Sequence, residues 1–257
     1  MKVKVAVLQY DCPMDSGESF TKLDEMLLKA VKLGAKLVVA PETAVGDVAG
    51  VKKTGEDYFP RISALVKKHK VYFVSSCYRK KNEKLYNQGF VFDPKGEVIL
   101  DFRKIYPAKP EIDNLGVVSG DTLNIIDTPI GKLGMIICKD GFNKYSYFLY
   151  QKLNEFGVDI VCIPTWTIGW KEMNTQEYVK ANFVYGAFAS RAFVLMSDCT
   201  NKFLNAYGRS LIVSPIQGVL KEGSVDKEEI LTAEIDLEEV KRAREFDSWW
   251  QPKKQII

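Results

Sequence analysis

The sequence predicts an α/β fold in which two sheets pack face to face and helices cover the outer side of each. Helical stretches that end on glycine alternate with short, wholly apolar strands, hairpin signals interrupt that alternation, and no Pro-, Gly- or Ser-rich linker divides the chain. Buried strands joined through helices favour parallel pairing, and hairpins bring antiparallel pairing with them. At 257 residues the chain is long enough for a substantial core, and a single domain is expected over residues 1–257.

The elements follow in order. Val3, Val5 and Val7 alternate with Lys2, Lys4 and Ala6, the period-two signal of a strand. From about residue 20 to 33, Leu23, Met26, Leu27, Ala30 and Val31 share one helical face, and Gly34 is placed to end the helix. Residues 36–40 and 71–76 read as short buried strands. Residues 89–92 and 97–100 flank Asp93-Pro94-Lys95-Gly96, a turn between antiparallel strands. Residues 123–127 and 132–137 flank Pro129-Ile130-Gly131 in the same way. A helix over residues 144–156 ends at Gly157, and residues 160–163 form the strand before Pro164. Residues 210–213 and 219–220 then bracket Pro215-Ile216-Gln217-Gly218, and residues 230–235 supply a further strand. Gly34 and Gly157, like Pro41 and Pro164, lie 123 positions apart. That is either an internal repeat or the recurrence of helix-to-strand units common to α/β chains.

Composition narrows the partners. Hydrophobic residues make up 46% and charged residues 27%, and the net charge of +3 comes from 36 basic against 33 acidic residues. The surface is therefore mixed in sign, and nucleic acid is not an expected partner. The apolar run at residues 5–10 is too short for a signal peptide or a membrane span, so a cytoplasmic location is the expectation. The five cysteines Cys12, Cys77, Cys138, Cys162 and Cys199 are scattered, with no Cys-x-x-Cys pair, which points to neither a disulfide framework nor a zinc site. His69 is the one histidine. Its lysine-rich, helical surroundings, Val66-Lys67-Lys68-His69-Lys70, read as a solvated surface and argue against a Cys-His or Ser-His-Asp arrangement.

Cys138 closes the apolar run at residues 133–137 and is followed by Lys139-Asp140-Gly141, which presents the thiol at the mouth of a sheet. Two earlier strands end comparably: residues 37–41 deliver Glu42, and residues 99–103 deliver Lys104. A free thiol, with a pKa of about 8.5, needs a base or a nearby cation to act near neutral pH. Glu42 could take its proton and return it to a leaving nitrogen. Lys104, staying charged, could bind the oxyanion together with backbone N–H groups just after Cys138. Water would then hydrolyse the thioester. Singly, each residue has a bland reading as a buried hydrophobe, a turn cap or an edge lysine. Jointly they point to a reaction centre.

Pro41-Glu42-Thr43, Arg103-Lys104-Ile105 and Gly134-Met135-Ile136-Ile137-Cys138-x-Asp140 resemble, in that order, the signature segments of the nitrilase superfamily of carbon-nitrogen hydrolases. The likeness continues through Tyr86-Asn87, Gly120-Asp121, Ala189-Ser190-Arg191-Ala192 and the hairpin region at 207–218, and so covers nearly the whole chain. It implies a four-layer αββα sandwich, a Glu42-Lys104-Cys138 triad, and homodimers or higher oligomers in which the sheets stack into eight layers. Many members carry a second glutamate downstream of the lysine. By position that is Glu111, whose other reading is a loop residue between Lys109 and Asp113.

The chain departs from the pattern in two places. Phe142-Asn143-Lys144-Tyr145 stands where many members have a Phe-Pro-Glu type sequence, and Ala189-Ser190 where a Glu-Asn pair is frequent. The Cys138-x-Asp140-Gly141 form resembles the amidase-like branches more than true nitrilases, which commonly place Trp-Glu after the cysteine. The resemblance thus implies hydrolysis of a small linear amide, or a carbamoyl compound, to acid and ammonia, with no metal or organic cofactor. Nitrile hydrolysis or acyl transfer would use the same triad, and a non-catalytic binding or scaffold protein on this fold is the reading of another class. Lys139 and Trp166 are candidate substrate-binding residues. Trp166 and Trp170 either line the pocket or serve as core or interface aromatics. Trp249 and Trp250, in a tail over about residues 245–257, are expected to dock on the core or on a partner subunit.

Overall fold

The computed structural model describes residues 1–13, 15–45, 51–52, 55–169, 174–200, 206 and 208–248. Strand β1 (Lys2–Gln9) is buried from Val5 onward, so the Val/Lys alternation marks only its entry into the core. Helix α1 (Ser16–Lys32) starts at Asp15, whose carboxylate accepts the Gly17 and Glu18 N–H groups as N-cap. That start lies upstream of the apolar stripe, because a capped first turn is polar and carries no periodic signal. Strand β2 (Leu37–Val39) then pairs parallel with β1. Helix α2 (Phe59–His69) leads to β3 (Tyr72–Lys81), parallel to β2, and the chain continues antiparallel through β4 (Lys84–Phe92) and β5 (Val98–Arg103).

The second sheet repeats this plan. β6 (Ile125–Thr128) and β7 (Gly131–Met135) form the hairpin that Pro129-Ile130-Gly131 predicts. Helix α3 (Ser146–Glu155) crosses to β8 (Ile160–Pro164), and α4 (Thr175–Ser190) crosses to β9 (Phe193–Ser197). β10 (Leu211–Ser214) and β11 (Gly218–Glu222) complete the sheet antiparallel. β12 (Glu229–Asp236) returns to pair antiparallel with β1, and α5 (Glu238–Ser248) follows. The orders are β12-β1-β2-β3-β4-β5 and β6-β7-β8-β9-β10-β11, six strands each. Both sheets hold three parallel strands joined by helices, an antiparallel pair on one side and an antiparallel edge strand on the other. The 123-residue separation therefore falls on equivalent crossovers, α1–β2 and α3–β8.

Alternation along the parallel strands sets the layers. Val5, Val7, Val39 and Val74 face the second sheet and join one core cluster with Met135, Val161 and Leu195. Their neighbours Ala6, Leu8, Val38 and Phe73 pack outward with Leu23, Leu27, Ile62 and Val66 of α1 and α2. On the far side Leu149, Leu153, Val179 and Phe183 of α3 and α4 cover the second sheet. The result is a four-layer αββα sandwich. No helix among the described residues is long and apolar enough to cross a membrane.

His69 corrects its surface reading. It is 8% exposed, and its Nε2 lies 2.5 Å from Asp24 Oδ1, which ties α2 to α1. The signal was present: Phe59, Ile62, Val66 and His69 form one helical stripe, so the histidine continues the apolar face and not the lysine-rich one. Tyr207 and the tail tryptophans Trp249 and Trp250 lie outside the described residues.

Candidate active site

Three strand ends meet between the sheets. Beyond β2, the Ala40 N–H bonds Val74 O, the Pro41 carbonyl accepts Ser75 Oγ at 2.7 Å, and the Glu42 N–H reaches Thr165 O of the other sheet at 3.2 Å. Glu42 is thereby fixed in the seam. Beyond β5, Lys104 is held at both backbone groups, its N–H on Asn87 O and its carbonyl under the Gly120 N–H. Its side chain is only 1% exposed, unlike an ordinary edge lysine.

Cys138 opens a 3₁₀ turn (Cys138–Gly141) after β7, with φ of +47°, in the left-handed region that a side chain at Cβ disfavours. A strained backbone of this kind costs on the order of 1–3 kcal/mol and persists only where its surroundings enforce it. Asp140 does so. Wholly buried, it accepts the Ile137 N–H at 3.0 Å, the Tyr106 N–H at 2.7 Å and the Ile105 N–H at 3.4 Å. One carboxyl group thus clips the cysteine turn to the segment that follows Lys104.

The side chains converge. Lys104 Nζ lies 2.6 Å from Glu42 Oε1 and 2.6 Å from Glu111 Oε2. Glu111 starts a single π-turn (Glu111–Leu115), is 8% exposed and also accepts the Ala108 N–H at 2.7 Å, so it is no surface loop residue. Asn87 on β4 joins the carboxylates, its Nδ2 donating to Glu42 at 2.7 Å and to Glu111 at 2.8 Å. The Tyr78 hydroxyl stands 3.4 Å from Glu111. Cys138 Sγ is 3.7 Å from the Trp166 carbonyl oxygen, and the thiol also interacts with Glu42.

Electrostatics assigns the protons. Burial pushes the Cys138 thiol well above its ordinary range, Glu42 adds to this, and Lys104 only partly opposes it. The resting sulfur is a thiol. Burial also raises Glu42, against the pull of Lys104 and with help from the Glu111 charge, so Glu42 is a strengthened base. Lys104, which burial alone would depress, is held well above its usual value by the Glu42 and Glu111 carboxylates, and stays charged. Glu111 is lowered: Lys104, Asn87 and the Ala108 N–H outweigh its burial.

Glu42, Lys104, Glu111, Cys138 and Trp166 all line one cavity of about 450 Å³. The Lys139 side chain is not among the lining groups. The Lys139 backbone N–H has no acceptor among the described residues, leaving a donor beside Sγ. Trp170 lies outside the described residues. Asn87, Tyr78 and Asp140 carry site roles that the residue types did not announce. For Asn87 a signal existed, a small amide inside an otherwise buried strand. For Tyr78 none did.

The fold and site define a class of protein in which a thiol, a carboxylate and an ammonium group share the seam of an αββα sandwich. Within that class, the family model for carbon-nitrogen hydrolases matches residues 4–245, and the chain belongs to that family, in the nitrilase superfamily. Nitrilase 3 of Arabidopsis thaliana is 27% identical over 94% of this chain and 81% of the relative. The bifunctional nitrilase/nitrile hydratase NIT4B of Nicotiana tabacum is 25% identical over 95% and 80% respectively. Among solved structures, a carbon-nitrogen hydrolase from Helicobacter pylori G27 superposes with a TM-score of 0.86 at 22% identity, covering 96% of this chain and 94% of that one. An amidase from Nesterenkonia sp. gives 0.78 at 18% identity and covers 96% of each chain. These structures share the fold. The sequence relatives carry nitrilase names, so amidase is one option within a carbon-nitrogen hydrolase.

Proposed function

We propose that the chain hydrolyses a primary amide to acid and ammonia through a thioester on Cys138. The observation that carries this reading is the buried Lys104 ammonium, bonded to Glu42 and Glu111 at 2.6 Å each beside a thiol with a raised pKa. Glu42 takes the thiol proton as Sγ attacks the carbonyl carbon, forming the C–S bond and moving the carbonyl electron pair onto oxygen. Lys104 Nζ and the Lys139 N–H stabilise that oxyanion. As it collapses, the C–N bond breaks and Glu42 passes the proton to nitrogen, releasing ammonia. Water, deprotonated by Glu42, then attacks the thioester and frees the acid and the thiol. Glu111 and Asn87 are positioning residues that hold Lys104 and Glu42 in register.

Nitrile hydrolysis on the same residues is the second reading, favoured by the names of the sequence relatives. Ammonia release from amides and nitriles by wild-type protein and by Cys138→Ala tests both. Release from amides that vanishes in the variant supports the amidase reading, whereas turnover of nitriles alone overturns it. Absence of cysteine labelling by fluoroacetamide would favour a non-catalytic binding protein.

The reading takes residues 1–257 as one catalytic domain, working in the cytoplasm on a small molecule. A second copy of the chain is the proposed partner. Support comes from exposed aromatics on α3 and α4, Tyr147, Phe148, Tyr178, Tyr185 and Phe188, 42–62% exposed.

A further inference from the structure

Two chemically distinct sets of residues line the cavity. One is Cys138 with Glu42, Lys104 and Glu111, and the other is Val45, Val51, Tyr58, Leu115, Ile168 and Trp166, whose carbonyl lies 3.7 Å from Cys138 Sγ. Lys104 is the one cation among the described lining residues, and both carboxylates already bind it. Two carboxylates against one ammonium leave the reacting set with a negative balance. A substrate carboxylate would therefore meet like charge at low dielectric, with no further cation among the described lining residues to receive it. The second set is mostly apolar, and the volume of the cavity suits a whole small organic molecule, far more than an acetyl group.

We infer that the substrate is an uncharged amide or nitrile with an extended apolar acyl chain, alkyl or arylalkyl, lodged against Val45, Val51, Leu115, Trp166 and Ile168. This rests on the reading of Cys138 as the nucleophile, because that reading puts the reacting carbon at Sγ and leaves the chain to fill the rest of the cavity, whose lining is mostly apolar. It excludes two groups that the triad alone would admit. Short amides forgo the apolar contacts, and N-carbamoyl amino acids or monoamides of dicarboxylic acids bring an anion into an anionic site. Burial of each further methylene is worth up to about fourfold in affinity.

The test separates binding from turnover. Cys138→Ala protein is titrated calorimetrically with acetamide, hexanamide and adipamate, the last carrying a carboxylate where hexanamide has its methyl. The expected order is hexanamide tightest, with acetamide and adipamate each weaker by about tenfold or more. Equal affinities, or adipamate tightest, would overturn the inference. Ammonia release by wild-type protein should follow the same order. If wild type turns over no amide or nitrile while the binding order holds, the catalytic reading fails and the pocket inference stands. If acetamide or adipamate is the best substrate, the inference fails and the catalytic reading stands. Ile168→Lys, at a half-exposed position of the apolar lining, should raise adipamate affinity and lower that of hexanamide. A folded variant with the wild-type order would refute the placement of the chain.

Discussion

Glu42 shows how one residue acquires a role from its surroundings. In the sequence it is a glutamate after a proline, open to use as a turn cap. In the fold it is 5% exposed, bonded to Lys104 and Asn87, and carries a raised pKa. The sign of the resulting pH dependence follows directly. Glu42 accepts the thiol proton only as a carboxylate, so reactivity is present above its pKa and lost as pH falls through it. The acid limb of Cys138 alkylation by iodoacetamide is therefore expected above the ordinary glutamate value of about 4.3. Since the Glu111 charge helps to raise Glu42, Glu111→Gln should move that limb to lower pH. A limb at the same pH in both proteins would show that the two carboxyls are not coupled. Glu42, Lys104 and Cys138 were legible as candidates because each follows an apolar strand. Asn87 was marked only as an amide inside an apolar strand, and its function exists only where β4 passes the ends of β2 and β5.

At the scale of elements, turns decide the geometry and are the least legible part. Asp140 binds three N–H groups, and an amide in its place offers a single acceptor oxygen to donors on two segments. Asp140→Asn should cost about 1–3 kcal/mol in a denaturant titration. It should also slow Cys138 alkylation, because the +47° turn loses its clip. Unchanged alkylation in a destabilised variant would make Asp140 purely structural. The β3–β4 hairpin turns through Asn82 and Glu83 at φ of 49° and 61°, a pair that suits an Asn-Gly sequence. Glu83→Gly is expected to stabilise by on the order of 0.5–1 kcal/mol, read as a higher denaturation midpoint at unchanged slope. The lost Lys80 ion pair at an exposed glutamate offsets little of this. Sequence reading ends β3 at Ser76 because the lysine-rich outer end of β3 projects past the core, where periodicity no longer reports burial. Helix α4 escaped for the opposite reason. Val179, Phe183 and Ala187 mark a buried stripe, but Tyr178, Tyr185 and Phe188 on the outer face blur it.

That blurred stripe has its explanation at the scale of the whole molecule. Tyr147 and Phe148 of α3 pack edge to face at 5.4 Å, Tyr185 and Phe188 of α4 lie 6.4 Å apart, and Arg191 caps Phe188 at 3.9 Å. Both helices cover the second sheet, so these rings form the outer surface of the sandwich's fourth layer. A contiguous aromatic face of this kind is unusual on a monomer and suits the same face of a second copy across a twofold axis, where each ring meets its own equivalents. The site is linked to it: Tyr145, just before α3, stacks at 5.7 Å on Tyr106, whose N–H Asp140 binds in the clip between the cysteine turn and the Lys104 segment. Pairing would cover the outer end of that chain of contacts and hold the Lys104 segment more firmly. Light scattering should therefore give about twice the 29.1 kDa chain mass for wild type and the single-chain mass for Phe148→Glu. The monomeric variant should also lose part of its kcat through a looser clip, while Phe148→Leu retains both mass and rate. A wild-type monomer would sink the expectation, and a fully active monomeric variant would show that the aromatic face serves assembly alone.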